Sequence, residues 1–272
     1  MGHFEDSRGM PTTVLILGGW SPGPLTALKS RFRAQCSFLE PAIPMPPVGV
    51  GWCASPSFMM LVAELVLVPW LCVWVEDEAG ISSAGAALAT LGVISAAAVL
   101  ARLCVAGLVR DSLRVGAQRA AATLRQHPVD VVVGFSWGGG VAADLLREGH
   151  LGVHGSPSVL LLAPTTAAIA RCALQRDAAS AIRIDAANRG RVYVFHASHD
   201  GFCPAAQREC WEATGATTHT CHDSHVFERQ CSLDEISRAL QTLCDIPVRS
   251  VPSVSEGNFI GSDNPSQCRV KR

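Results

Sequence analysis

The chain has 272 residues and a formal net charge of −1, with 22 lysines and arginines against 23 aspartates and glutamates. This balance gives no electrostatic basis for binding nucleic acid, and we expect no such partner. Hydrophobic residues make up 49% of the sequence, charged residues 17%, and the mean hydropathy is +0.26, which is apolar for a water-soluble protein.

Apolar segments alternate with amphipathic segments along most of the chain. The predicted strands are residues 12–17, 37–39, 129–134, 158–164, 191–197 and 217–221, and the predicted helices are 25–34, 107–126, 139–148 and 232–244. Strands that are apolar throughout and alternate with helices indicate a parallel sheet covered on both faces. The predicted fold class is therefore α/β, with a mostly parallel sheet of about six strands and helices on both faces.

A hydrophobic insertion, residues 50–106, interrupts this alternation. Residues 58–75 hold one charge in eighteen positions, and residues 81–101 hold none in twenty-one. Eighteen helical residues span about 27 Å, close to the ~30 Å hydrocarbon core of a bilayer. Arginines flank the pair and the acidic residues 76–78 separate its members, which predicts a membrane hairpin with both ends in the cytosol. An apolar patch lying on the membrane and a soluble helical lid are the alternatives.

A glycine-rich motif, GFSWG at 134–138, joins a predicted strand to a predicted helix. A sharp turn at this place strains the backbone of Ser136, and Gly134 and Gly138 avoid the clashes that side chains would cause. The hydroxyl then stands clear at the carboxyl end of the sheet, beside a helix amino terminus that favours negative charge. The motif therefore predicts a nucleophilic serine, and an ordinary glycine-rich turn is the alternative.

A nucleophilic serine needs a base, and the base needs an acid that orients it. Asp200 follows the predicted strand 191–197, where a parallel sheet can present it beside Ser136. His222 and His225 follow the next predicted strand, so the order along the chain is Ser, Asp, His. His196 and His199, beside the acid, are interpreted as structural.

With these motifs the chain resembles the α/β-hydrolase superfamily, in particular its small serine hydrolase or esterase-like members. The resemblance covers about 12–46 and 107–244 and is carried by GFSWG at 134–138, HASHDGFCP at 196–204 and HDSHVF at 222–227. It implies that Ser136 is the nucleophile, Asp200 the acid and His225 the base. His222 is the alternative base, since its place in a loop does not fix its geometry.

The resemblance also implies an oxyanion hole made of two backbone N–H groups. Trp137, directly after the nucleophile, supplies one, and Trp20, in the loop after the first strand, supplies the other. The family's loop often reads H-G-x, whereas this chain has Gly18-Gly19-Trp20. The alternative is that these glycines form only a turn.

The expected organisation is one α/β-hydrolase-like domain, 1–246, interrupted by the insertion 50–106 and followed by a disordered tail, 247–272, rich in Pro, Ser, Asn and Gly. The eleven cysteines contain no C-x-x-C pair, which favours reduced thiols over disulfides or zinc. The first ten residues contain no apolar run, so we expect no signal peptide. Together with the apolar insertion, this predicts a membrane location with the hydrolase domain facing the cytosol.

These features predict a membrane-associated serine hydrolase that cleaves an acyl or lipid-like carboxylic ester or thioester through an acyl-enzyme. Neither a cofactor nor a metal is expected. The alternatives are an acyltransferase that uses the same triad and a catalytically inactive, membrane-anchored binding protein. The sequence does not specify which ester is the substrate.

Overall fold

The computed structural model describes residues 11–46, 83–153, 155–203 and 206–245. The strands are β1 (Thr12–Leu17), β2 (Cys36–Leu39), β3 (Val131–Phe135), β4 (Ser158–Leu162), β5 (Val192–Ala197) and β6 (Thr217–Cys221). The helices are α1 (Leu25–Phe32), α2 (Ser83–Gln126), α3 (Trp137–Arg147), α4 (Thr166–Ala173), α5 (Ala178–Ala181), α6 (Ala206–Thr214) and α7 (Gln230–Asp245), with a 3₁₀ helix at Ala186–Arg191. The predicted segment 58–75 and the predicted tail 247–272 lie outside the described residues.

All six strands form one sheet in the order β2-β1-β3-β4-β5-β6, and every neighbouring pair is parallel. The predicted α/β fold class is confirmed. Because β2 lies on one side of β1 and β3 on the other, the strand order reverses between β1 and β3. In open parallel sheets a crevice forms at the carboxyl ends of the strands on either side of such a reversal. The loops after β1 and β3 meet there.

Alternate residues of the strands supply two cores, one on each face of the sheet. Leu15 and Leu17 of β1 pack on the face covered by α2 and α3, whereas Val14 and Ile16 pack on the face covered by α1 and α7. The central strands β3 and β4 are buried at every position, as continuous apolar runs in a parallel sheet require.

Helix α2 has 44 residues and combines two segments that the sequence presented as separate, the apolar stretch 81–101 and the amphipathic helix 107–126. Its carboxyl half packs on the sheet through Val109, Leu113 and Ala117, which are buried. Its amino half exposes large apolar side chains: Leu91, Val93, Val99, Leu100 and Leu103. By length and composition alone, the part from Leu91 onward could cross a membrane.

The close approach of α3 to β1 generates a stability prediction for Gly138. A Cβ atom at this position would overlap the carbonyl oxygen of Leu17, which belongs to a buried strand and has nowhere to move. We expect Gly138→Ala to lower the free energy of unfolding by about 3 kcal/mol or more. Chemical denaturation measures this change.

Gly190→Ala is the matched control, because a Cβ at Gly190 meets no atom within 4 Å among the described residues. Equal stabilities of the two variants would contradict the packing of α3 against β1.

Candidate active site

Ser136 occupies the one-residue turn between β3 and α3. Its backbone has φ of 53° and ψ of −115°, a conformation that non-glycine residues rarely adopt and that costs energy. The surrounding backbone holds it: the Ser136 N–H donates to the Leu162 carbonyl at 2.9 Å, and the Ser136 carbonyl accepts from the Gly140 N–H at 3.1 Å. The sharp turn that the motif predicts is therefore present, and it projects the side chain from the carboxyl edge of the sheet.

Glycines surround this turn where side chains would collide with the backbone. A Cβ at Gly134 would lie 2.8 Å from the Gly138 carbonyl oxygen. A Cβ at Gly19 would lie 2.7 Å from the Cβ of Ser136 and 3.2 Å from its Oγ. The loop after β1 consequently passes directly beside the hydroxyl. From the sequence, Gly18-Gly19 was interpreted only by comparison with the family's loop. The close approach shows that Gly19 is also required sterically, because any side chain there would collide with Ser136.

The structure brings Ser136, His225 and Asp200 into one hydrogen-bonded series. His225 Nε2 lies 2.9 Å from Ser136 Oγ, and His225 Nδ1 lies 2.7 Å from Asp200 Oδ2. An ionised carboxylate can only accept, so Nδ1 carries the ring proton and donates it to Asp200. In a neutral imidazole Nε2 is then the acceptor for the serine O–H. This is the tautomer that a general base for Ser136 requires.

Asp200 is buried in the loop after β5 and keeps its charge through donated hydrogen bonds. Its Oδ1 accepts from the backbone N–H groups of Phe202 at 2.8 Å and Cys203 at 3.1 Å. Burial alone would raise the pKa of Asp200, but the hydrogen bond from His225, the attraction of that ring when it is protonated and the two N–H donors outweigh burial and hold the pKa below its ordinary value. The acid is therefore ionised when His225 needs a negative partner.

His225 lies in the loop between β6 and α7, and Asp223 shapes that loop. The Asp223 carboxylate accepts from the backbone N–H groups of Ser224 at 2.7 Å and Arg229 at 2.9 Å. The rings of Phe135 and Phe202 flank the imidazole, each with its centroid 5.4 Å away. Neither Asp223 nor Phe202 was predicted from the sequence. For Asp223 the available signal was an aspartate in a short loop before a helix, since such side chains often bond to nearby backbone N–H groups.

His222, the alternative base, lies elsewhere. Its Nδ1 is 3.2 Å from Ser198 Oγ and its Nε2 is 3.4 Å from His199 Nε2, so its ring faces the exposed side of the loops and not Ser136. His196 is buried within β5, and burial lowers its pKa to about 4, which keeps the ring neutral.

Trp20 and Trp137 lie together beside the serine. Trp137 is the first residue of α3, where the backbone N–H has no partner within the helix. The Trp20 ring is half-exposed and packs on the Trp137 ring with centroids 5.7 Å apart, and the Trp20 indole N–H donates to the Pro46 carbonyl at 3.3 Å. These contacts bring the loop after β1 and the start of α3 together, although the aim of the two backbone N–H groups at an oxyanion stays a prediction.

Asp200, Cys203 and His225 also form a possible metal-ligand set, with donor atoms within 4.8 Å of one another. The Cys203 thiol, however, donates to the carbonyls of Ala163 and Pro164, each at 3.2 Å. Burial and the Asp200 charge raise the pKa of Cys203, whereas a metal ligand must be a thiolate. Asp200 and His225 already bond to each other, so the arrangement suits proton transfer better than metal binding.

No protein-family model matches the chain, and no curated protein matches it either. Seven chains of known structure match it, among them the following three. The first, from Xanthomonas campestris pv. campestris, is described as a "putative hydrolase" of the alpha/beta superfamily; it is 18% identical, with 86% of this chain and 98% of that chain covered and a TM-score of 0.44.

The second, from Agrobacterium vitis S4, is also described as a "putative hydrolase", with no superfamily named. It is 13% identical, with 86% of this chain and 88% of that chain covered and a TM-score of 0.47. The third, from Thermus thermophilus, is 14% identical, with 87% of this chain and 90% of that chain covered and a TM-score of 0.44. The predicted resemblance to α/β hydrolases agrees with the first description. Activity and substrate are therefore inferred from the site residues themselves.

The burial of Cys203 beside the acid predicts its reactivity. Its thiol is fully buried, hydrogen-bonded and held protonated, whereas Cys210 on α6 is exposed. Iodoacetamide reacts with thiolates, so we expect it to modify Cys210 in the folded protein and to leave Cys203 unmodified until the protein is denatured. Peptide mass spectrometry measures both sites in one sample, and equal rates at the two would contradict the described packing of the acid loop.

Proposed function

We propose that the protein is a serine hydrolase that cleaves an acyl or lipid-like ester or thioester through an acyl-enzyme. The observation that carries this proposal is the pair of distances around one imidazole, 2.9 Å to Ser136 Oγ and 2.7 Å to Asp200 Oδ2. A serine hydroxyl is a weak nucleophile unless an adjacent base removes its proton. The proposed base already lies within reach, in the required tautomer.

In the first half-reaction, Ser136 Oγ attacks the carbonyl carbon of the substrate while its proton moves to His225 Nε2. The imidazolium that forms is stabilised by the Asp200 carboxylate at Nδ1. When the tetrahedral intermediate collapses, the C–O or C–S bond breaks and the leaving alcohol or thiol takes the proton from Nε2. The acyl group stays on Ser136.

In the second half-reaction, His225 takes a proton from water, and the resulting hydroxide attacks the acyl carbon. Collapse breaks the bond to Ser136, returns the proton to Oγ and releases the carboxylic acid. The backbone N–H groups of Trp137 and Trp20 are the proposed donors to the oxyanion of both tetrahedral intermediates. The amino terminus of α3 adds a favourable partial positive charge.

Two exposed aromatic side chains favour an apolar acyl group. Trp20 is 43% exposed and packs on Trp137 beside the nucleophile, and Phe202 is 61% exposed and packs on His225. Apolar surface beside the reacting atoms gives an acyl chain a place to leave water, at about 25 cal/mol per Å² buried. We propose that Trp20 and Phe202 receive the acyl chain.

The exposed apolar half of α2 supports membrane association. The large apolar side chains that it exposes, such as Leu91, Val99 and Leu100, are costly in water, and contact with lipid would remove that cost. We propose that the protein associates with a membrane through residues 81–101 and the preceding apolar segment 58–75, with the hydrolase domain facing the cytosol. Whether the insertion spans the bilayer or lies on it is a separate question that protease protection would answer.

An active-site-directed fluorophosphonate tests the nucleophile. We expect rapid labelling of the full chain, no labelling of Ser136→Ala, and labelling of His225→Ala slowed by about 10² or more because the base is lost. All these reactions are carried out in a buffer that contains a metal chelator. His222→Ala should label close to the wild-type rate, since its ring lies away from Ser136. Gel fluorescence with peptide mapping gives the rate and the labelled residue.

Labelling of Ser136→Ala at the wild-type rate would refute the assignment, and a folded but inert wild type would favour the non-catalytic alternative. If the enzyme labels, product analysis with and without an added alcohol separates hydrolysis from acyl transfer, because the two share the first half-reaction.

A chain-length series tests the substrate class. We expect Trp20→Ser and Phe202→Ser to lower kcat/KM about tenfold for octanoyl and longer p-nitrophenyl esters, since ~1.4 kcal/mol of acyl-chain contact is lost. Hydrolysis of the acetyl ester should change little. Val153→Ser is the matched control, as an exposed apolar residue in the loop that leads into the amino end of β4. Equal losses for acetyl and octanoyl esters would contradict an acyl-binding role.

A further inference from the structure

Two histidines outside the proposed triad face each other on the surface. His199 follows β5 and His222 follows β6, and their Nε2 atoms are 3.4 Å apart. Their ring centroids are 4.5 Å apart, with an angle of 71° between the ring planes. Both residues are exposed. We refer to these two residues as the histidine pair.

The separation of the two nitrogens matches the distance between ligands of one metal ion. Zinc binds imidazole nitrogen at ~2.0–2.1 Å with tetrahedral geometry, which places two ligand nitrogens about 3.3–3.4 Å apart. Two nitrogens that face each other without a cation need one ring N–H directed at the lone pair of the other ring. A cation between them removes that requirement, because each ring then presents a lone pair.

The backbone that carries the histidine pair is fixed by the sheet. The end of β5 pairs with the end of β6, Ala197 opposite Cys221. Beyond the strands, the Ser198 N–H donates to the Cys221 carbonyl at 2.9 Å and the His199 N–H donates to the Asp223 carbonyl at 3.0 Å. Backbone hydrogen bonds thus join the two loops as far as the residues that bear the imidazoles. The backbone therefore needs little further ordering when an ion binds.

Ser198 offers an acceptor for the ring N–H of the tautomer that a ligand needs. His222 Nδ1 lies 3.2 Å from Ser198 Oγ, and an Nδ1–H that donates to this oxygen leaves the lone pair on Nε2, the atom that faces His199. Metal-binding histidines commonly donate their second ring N–H to an oxygen in this way, which fixes the ring orientation.

We propose that the histidine pair is a surface site for a divalent transition-metal ion such as Zn²⁺, Ni²⁺ or Cu²⁺, with water completing the coordination. Imidazole nitrogen suits these ions, whereas Mg²⁺ and Ca²⁺ prefer oxygen ligands. The site is distinct from Asp200, Cys203 and His225 and takes no part in the proposed chemistry. The ion would join the loop that holds Asp200 to the loop that holds His225 and so stabilise the folded state. The cysteine pattern led to the expectation of no metal, and two histidines 23 positions apart carry no ligand-spacing signal of their own.

The experiment uses the full chain, freed of metal by a chelator and with its accessible thiols alkylated. Thermal unfolding and calorimetric titration are followed as Zn²⁺ is added, with Mg²⁺ in parallel. We expect Zn²⁺ to raise the unfolding temperature and Mg²⁺ to leave it unchanged. His199→Ala and His222→Ala should each abolish the Zn²⁺ shift, and the double variant should lose no more than either single variant.

His150→Ala, which removes another exposed histidine, should keep the shift, and so should His225→Ala, which removes the other possible ligand set. Unfolding temperatures without metal show that each variant is folded. A Zn²⁺ shift that persists in both His199→Ala and His222→Ala would overturn the proposal, as would the absence of any shift in the wild type. The result is independent of fluorophosphonate labelling, so this proposal and the proposed function can fail separately.

Discussion

The close approach of α3 to the carboxyl end of β1 is the constraint on which the candidate site depends. Only glycine fits at position 138, against the Leu17 carbonyl, and only a backbone with positive φ at Ser136 turns the chain from β3 into α3 so tightly. The strained backbone of Ser136 is held by two hydrogen bonds: its N–H donates to the Leu162 carbonyl of β4, and its carbonyl accepts from the Gly140 N–H of α3. The same packing brings Gly19 beside the hydroxyl. A serine exposed at the switch point of the sheet is thus a consequence of how β1, β3 and α3 fit together.

The remaining groups reach the serine because parallel strands present their following loops at one edge. Asp200 after β5 and His225 after β6 lie far from Ser136 in sequence, yet the sheet order places their loops side by side, with only β4 between them and β3. Backbone N–H groups fix the proposed acid, and the Asp223 carboxylate shapes the loop of the proposed base. The same joined loops position the histidine pair, so one piece of framework supports both the proposed chemistry and the proposed metal site.

How far the site follows from sequence depends on the range of the interactions involved. Ser136 is marked by local sterics, so its glycines reveal it, and Asp200 follows a strand that is easily recognised. The choice between His225 and His222 depends on the direction of a loop set by Asp223, a contact that no periodicity encodes. The short helices α4, α5 and α6 were not predicted for a related reason: helices of this length are stabilised by tertiary packing, as where Ile169 of α4 lies against Gly140. The two halves of α2 differ in composition, which made one continuous helix look like two segments.

Asp200 and Ser136 lie at the two nitrogens of one imidazole, and proton NMR of the unliganded protein can detect this arrangement. A ring N–H donated to a buried carboxylate resonates at unusually low field because the charged acceptor draws the proton away from its nitrogen. We expect such a resonance from His225 Nδ1–H in the wild type and in Ser136→Ala, and its loss in Asp200→Asn. A low-field resonance that survives Asp200→Asn, or that belongs to His222, would show that Asp200 does not hold the His225 ring.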